Sequence, residues 1–222
     1  MSDLTSTTRS RVKRLHERGA YDFDTIAAIL DAGLLCHVGY IIDGQPYVTP
    51  TAYWREGDHV YWHGSSASRM LRVLEKGVDV CFTASHLDGL VLARSGFNHS
   101  INYRSVMLFG RARKIEDEGA KLRALESFLE HVFPGRWQEL RPATRQEIKA
   151  TTVLGMAIEE GSAKVRTGWP HDDEEDYSWP VWAGVVPVQA VVQPPLPDER
   201  LVGAREPPAY LADLSHLGLK AR

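Results

Sequence analysis

Two runs rich in branched and aromatic residues, "LLCHVGYII" (34–42) and "PYVTPTAYW" (46–54), stand on either side of Asp43-Gly44. A tight two-residue hairpin turn needs positive φ at both central positions, which Asp tolerates and Gly adopts freely. The pair therefore predicts an antiparallel hairpin, and the pattern continues: "REGD" turns the chain into a third strand, "HVYWHG". Parallel strands would need long crossovers between them, so three strands joined this closely exclude a doubly wound parallel sheet.

The rest of the chain fits the same picture. Helix "TIAAILDAG" precedes the hairpin, with Asp24 as its cap and Gly33 as its stop, and helix "SRMLRVLEKG" follows the third strand. "VDVCFTASHL" and "GLVLARS" read as strands joined around Asp88-Gly89, and a long strand "YRSVMLFGRARKI" comes after the loop "GFNHSIN". Helix "DEGAKLRALESFLEHVF" has Asp117 as its cap and Leu122, Leu125, Leu129 and Val132 as its apolar stripe. "TTVLGMAIEE" supplies one more strand. Strands dominate and helices are inserted among them without regular alternation, which predicts a mainly β protein, an antiparallel barrel with peripheral helices.

Residues 1–20 read as a flexible, solvated N-terminal arm, residues 21–193 as the folded domain and residues 194–222 as an extended tail. Eight of the twelve prolines fall between Pro170 and Pro208, beside the acidic run "HDDEED" and Trp169, Trp179 and Trp182. The acidic run reads as a solvated loop rather than a metal site.

A formal charge of −3 argues against a general nucleic-acid binder, and no apolar run approaches the length of a membrane span. The polar N-terminus lacks the apolar centre of a signal peptide, so the expected location is cytoplasmic. The two cysteines, Cys36 and Cys81, sit in separate apolar runs and read as reduced core residues without metal-ligand spacing.

The stretch "YWHGSSASRML" (61–71) places His63, Gly64, Ser65, Ser66, Ser68 and Arg69 at one strand-to-helix junction. Hydroxyls, helix-start N–H groups and a guanidinium are the parts of an anion site. The structural alternative is a serine that only caps the helix and an arginine in solvent. His59 and His63, four apart on a strand, lack a third ligand. His86 and His99 read as surface or pocket histidines.

Taken together, "PYVTPTAYW", "YWHGSSASRML" and "VCFTASHLDGLVLARSGFNHSINYRSVMLFGRARKI" resemble the FMN-binding split-barrel superfamily over about residues 21–160. The likeness is to the nitroimidazole-reductase-like branch of the pyridoxamine 5′-phosphate oxidase-like group. It implies an antiparallel split β-barrel that binds FMN. Ser68-Arg69 match the family's phosphate-holding pair, with Met70 standing where the oxidases have lysine. Pro50, Thr51 and Ala52 would edge the flavin ring. Arg104-Ser105 match an Arg-Gln pair of the long strand, with Ser105 replacing the glutamine. His63 matches a histidine near the flavin, a candidate proton donor. The resemblance also implies a homodimer enclosing two flavins, with Trp182 among the aromatic cover.

The function expected is a flavin-dependent oxidoreductase acting on a small molecule, with a reduced nicotinamide as possible donor. The alternatives are a flavin store or sensor without turnover, and a haem-binding protein, since some split-barrel relatives bind haem. The Arg-x-His element of true pyridoxamine phosphate oxidases is missing from the C-terminal region. Its only occurrence is Arg14-Leu15-His16.

Overall fold

A computed structural model describes residues 3–203 and 205–221. In chain order the elements are β1 (Gly19–Ala20), α1 (Phe23–Asp31), β2 (Leu35–Ile42), β3 (Gln45–Glu56), β4 (His59–Ser65), α2 (Arg69–Leu74), β5 (Asp79–Leu92) and β6 (Ser100–Arg111). There follow β7 (Arg113–Lys114), α3 (Glu118–Val132), α4 (Arg145–Ala150), β8 (Thr151–Ala157), β9 (Glu160–Arg166), β10 (Gly184–Pro187), β11 (Val191–Val192) and β12 (Lys220–Ala221).

The expected turn between β2 and β3 is present. Asp43 has φ 49° and Gly44 φ 79°, and the two strands pair antiparallel from Leu35–Ala52 to Ile42–Gln45. β3 then does something a short strand could not. From Gln45 to Ala52 it pairs with β2, and from Tyr53 to Glu56 it pairs with β4. One strand thus carries the sheet round a corner, giving the order β1-β9-β6-β5-β2-β3-β4-β8-β7 with β10 on β5. This curled antiparallel sheet is the split barrel that the sequence predicts.

Inside the curl the inward residues Val38, Tyr53, Trp62, Phe82, Leu108, Leu154 and Met156 form the core, and Ile26 and Leu30 of α1 close one end. The one polar atom that Tyr53 brings inside is satisfied, because its hydroxyl donates to the Leu30 carbonyl at 2.6 Å. Cys36 is buried here as expected. Its thiol donates to the Thr51 carbonyl, and burial pushes its pKa up to about 12, so it stays protonated and inert.

Several expectations are corrected. The cap of α1 is Asp22, whose carboxylate accepts the Thr25 N–H at 2.8 Å; Asp24 lies inside the first turn. Asp88-Gly89 is not a turn. β5 runs through it as one strand with a register shift between Leu87 and Gly89, and glycine lets β10 approach closely, since a Cβ there would press on the Val186 carbonyl at 3.2 Å. β9 and α4 were not anticipated, although Thr144 and Glu147 form a capping box that the spacing Thr-x-x-Glu announces.

Residues 3–20 are not a free arm, and the first two residues of the expected arm lie outside the described residues. Leu4 is buried, Thr5 bridges to Glu160, Arg9 grips the Glu160 carboxylate and covers Phe109, and β1 pairs with β9. The acidic run is exposed at Asp173, Glu174 and Glu175, as a solvated loop requires, and is tied down at Asp172. The Asp172 side chain is fully buried and accepts from the backbone of Arg94 and Ser95 and from the Arg94 guanidinium. Among the described residues, no helix is long and apolar enough to cross a membrane.

Candidate functional site

Alternation along β3 and β4 sends Tyr53 and Trp62 into the barrel and Trp54 and Tyr61 to its outer face. His63, two residues beyond Tyr61, shares that outer face. α3 lies across it, and its docking builds a second small core from Trp54, Ala124 and Val153 with Tyr61, Leu125 and Phe128 around them. Trp54 is fully buried, its ring 5.5 Å from Tyr61 and 5.0 Å from Phe128.

His63 is placed where this small core opens into a cavity of about 820 Å³. Leu125, Phe128 and Leu129 of α3, Trp137, Leu140 and Ile148 form its apolar wall, and Gln138, Arg141 and Glu147 add the polar lining. Arg141 pairs with Glu147. The imidazole packs against Trp54 at 5.9 Å and Phe128 at 5.2 Å. Neither ring nitrogen has a hydrogen-bond partner among the described residues, and Nδ1 is sealed from solvent. Burial lowers the His63 pKa from its ordinary value of 6.5, so the ring is neutral at pH 7. An unpartnered, neutral imidazole facing an apolar cavity of this size is suited to ligating a metal carried by a flat apolar group. The apolar stripe of α3 was legible in the sequence, but its residues Leu122, Leu125 and Leu129 line this cavity instead of the barrel core.

At the β4–α2 junction the backbone is held tightly. The Ser68 N–H donates to the Ser65 carbonyl, Ser66 N–H donates to Ala150, and the Arg72 guanidinium donates to the Ser66 carbonyl. Ser65 Oγ accepts the Ala67 N–H at 3.2 Å. The cap residue of α2 is Ser68, and its hydroxyl makes no capping bond. Arg69 is exposed, its guanidinium 4.5 Å above the Tyr47 ring, and no carboxylate pairs with it among the described residues. The junction therefore offers a free hydroxyl and a free guanidinium. Met70, at the position where the oxidases carry lysine, is buried in the core.

Other predicted residues are spread more widely. Pro50 and Ala52 are exposed on the outer face of β3, while Thr51 is half-buried on its other side. Arg104 and Ser105 are not brought to the junction. Arg104 makes two hydrogen bonds to Asp88, at 2.9 and 2.8 Å, and Ser105 donates to the Lys164 carbonyl at 3.3 Å. Trp182 is exposed on the segment leading to β10. His86 is half-buried and lines a separate pocket beside Asp88 and Arg104, and its Nε2 meets the Ile29 carbonyl near the end of α1. Among the described residues no group of three or more His, Cys, Asp or Glu is arranged to hold a metal ion.

A family model described as pyridoxamine 5′-phosphate oxidase matches residues 22–165. No curated protein matches. Among solved structures, the flavocytochrome Anf3 from Azotobacter vinelandii is 52% identical, covers 92% of this chain and 95% of its own, and superposes with a TM-score of 0.89. The FAD and haem binding protein from Mycobacterium smegmatis is 35% identical over 87% of this chain and 95% of its own, with a TM-score of 0.84. A candidate 5-nitroimidazole antibiotic resistance protein from Bacteroides thetaiotaomicron is 24% identical over 66% of this chain and 86% of its own, with a TM-score of 0.55, a likeness of fold. On the matched barrel and these relatives, the chain belongs to the pyridoxamine 5′-phosphate oxidase-like split-barrel family.

Proposed function

We propose that this chain is a redox protein that binds both a flavin and a haem, and that His63 ligates the haem iron from the wall of the α3 cavity. The observation that carries this reading is the His63 imidazole, neutral and unpartnered beside an apolar space of about 820 Å³. Two relatives support it, a flavocytochrome and a FAD and haem binding protein. The chain's own residues would supply the iron ligand through His63, and exclude water through Leu125, Phe128, Leu129 and Trp137. A bound haem supplies one-electron chemistry, and the flavin joins it to two-electron donors. Titration of the purified protein with haemin tests the reading: a Soret band that saturates at one haem per chain is expected, and its absence refutes the assignment.

The flavin lies, on this reading, at the β4–α2 junction, with Ser68 and Arg69 on its phosphate and Pro50, Thr51 and Ala52 along its ring. The M. smegmatis relative favours FAD over the FMN that the sequence suggested, and chromatography of flavin released by heat distinguishes the two. Arg69→Ala is expected to weaken flavin binding by about 1.5–3 kcal/mol, the worth of one charge-assisted hydrogen bond, or roughly 10- to 150-fold by titration. Unchanged affinity would leave Arg69 a surface cation resting on Tyr47.

Leu35, Ile41 and Val48 are each more than half exposed on the outer face of β2 and β3, beside Pro50 and Ala52. Such an apolar face is covered in solution by a second copy, and the flavin site would be completed between the two. Light scattering is expected to return twice the chain mass, and Val48→Glu to return the monomer with loss of flavin. A wild-type monomer that retains flavin removes the shared-site reading. We assign the pair of cofactors to an oxidoreductase acting on a small molecule, with a reduced nicotinamide as donor. Anaerobic mixing with that donor is expected to bleach the flavin absorption.

A further inference from the structure

One wall of the His63 cavity is a turn, not a helix or strand. Residues 133–144 contain only the short 3-10 turn Trp137–Glu139, yet Trp137, Gln138 and Leu140 line the cavity. Glu130 of α3 holds the turn from inside, its carboxylate accepting the N–H groups of Gly135 at 2.6 Å and Trp137 at 3.1 Å. The outer hold comes from the far end of the chain. The Tyr210 hydroxyl accepts from Arg136 and donates to Glu139, both at 3.1 Å, closing a triangle with the Arg136–Glu139 pair at 2.9 Å. Its ring also approaches Phe133 at 6.4 Å.

The segment that carries Tyr210 is itself anchored. His216 Nε2 donates to the His131 carbonyl at the end of α3, Leu217 is buried, and β12 pairs with β11. The tail is therefore tied to the turn through Tyr210 and to α3 through His216. The cavity opens to solvent, and widening its mouth requires either that α3 leave the sheet, where Ala124 and Val132 are buried, or that the turn swing out. The turn has few buried apolar contacts and yields first.

We propose that Glu130 and Tyr210 are positioning residues for the Trp137 wall, and that the C-terminal segment sets how fast the cavity exchanges its occupant. One arm of the test rests on the haem reading above and the other does not. In the first, full-length protein loaded with haem is mixed with excess apomyoglobin and the transfer is followed in the Soret region. In the second, entry of anilinonaphthalene sulfonate into the haem-free protein is timed by stopped flow. Tyr210→Phe is expected to raise both rates about tenfold through loss of its hydrogen bonds, and Tyr210→Ala to raise them further. The Soret position and thermal midpoint stay at wild-type values, and Tyr177→Phe, on another segment, changes nothing. Unchanged rates in Tyr210→Ala overturn the proposal, and so does a Soret shift in Tyr210→Phe, which would make Tyr210 part of the pocket's shape. A chain that takes up no haem refutes the haem reading alone, and the dye rates then decide this one.

Discussion

His63→Ala is expected to lower haem affinity by ~100-fold or more while leaving the barrel folded and the flavin bound. The magnitude follows from the ligand's place in the chain of effects, since even partners behind a metal ligand are worth about 10- to 100-fold. The side chain lies half-buried on the outer face, and its loss enlarges an existing cavity without opening the barrel core. His63→Gly with imidazole added to the buffer is expected to recover the Soret band, because a free imidazole then fits where the side chain was. Full haem affinity in His63→Ala would move the ligand elsewhere and overturn the assignment. The pH dependence has a fixed sign. Burial holds the folded pKa of His63 below 6.5, so in the haem-free protein its contribution to stability is fully present above the unfolded value of 6.5. It is lost as pH falls below 6.5 towards the folded value, and haem release on acidification follows the same direction, since a protonated imidazole has no lone pair for iron.

Trp54→Ala is expected to carry the largest stability cost of any change near the site, about 3–5 kcal/mol, as for other buried aromatic truncations. Trp54 is fully buried between the outer face of β3 and α3, touching Tyr61, His63 and Phe128. At roughly 2–4 °C per kcal/mol for a chain of this size, the thermal midpoint should fall by about 6–20 °C. Trp54→Phe keeps most of the packing and loses an indole N–H that has no partner in the folded protein, so it should cost far less. A loss below about 1 kcal/mol in Trp54→Ala would mean that α3 is not seated on this face as described.

Much of the frame was legible because it is local chemistry. Asp43-Gly44 announces its own positive φ values, and Asp117 caps α3 through the Ala120 N–H. The junction residues Ser68 and Arg69 were legible as hydrogen-bonding groups at a helix start for the same reason. A serine hydroxyl and a guanidinium at a helix start keep their character wherever the helix goes. What failed was non-local. Asp88-Gly89 looks like a turn until β10 is seen to run alongside Gly89, and Arg104 looks available until Asp88 is found across the bulge. The N-terminal arm looks solvated by composition, and only the position of Glu160 explains why Arg9 is held.

His63 shows the division most clearly. The sequence by itself determined that it lies on a β-strand just ahead of a serine-rich junction, because strand propensity and turn chemistry act over a few residues. It also determined that α3 would present an apolar stripe. Only the tertiary structure decided that this stripe lands on the outer face of β4, and that it leaves an open cavity walled on one side by residues 133–144, a turn braced by Tyr210. The alternation of a strand says which residues share a face, but it does not say what will cover that face. That choice is made by burial summed over elements far apart in the chain, and it turns a histidine on the outer face of a strand into a candidate iron ligand.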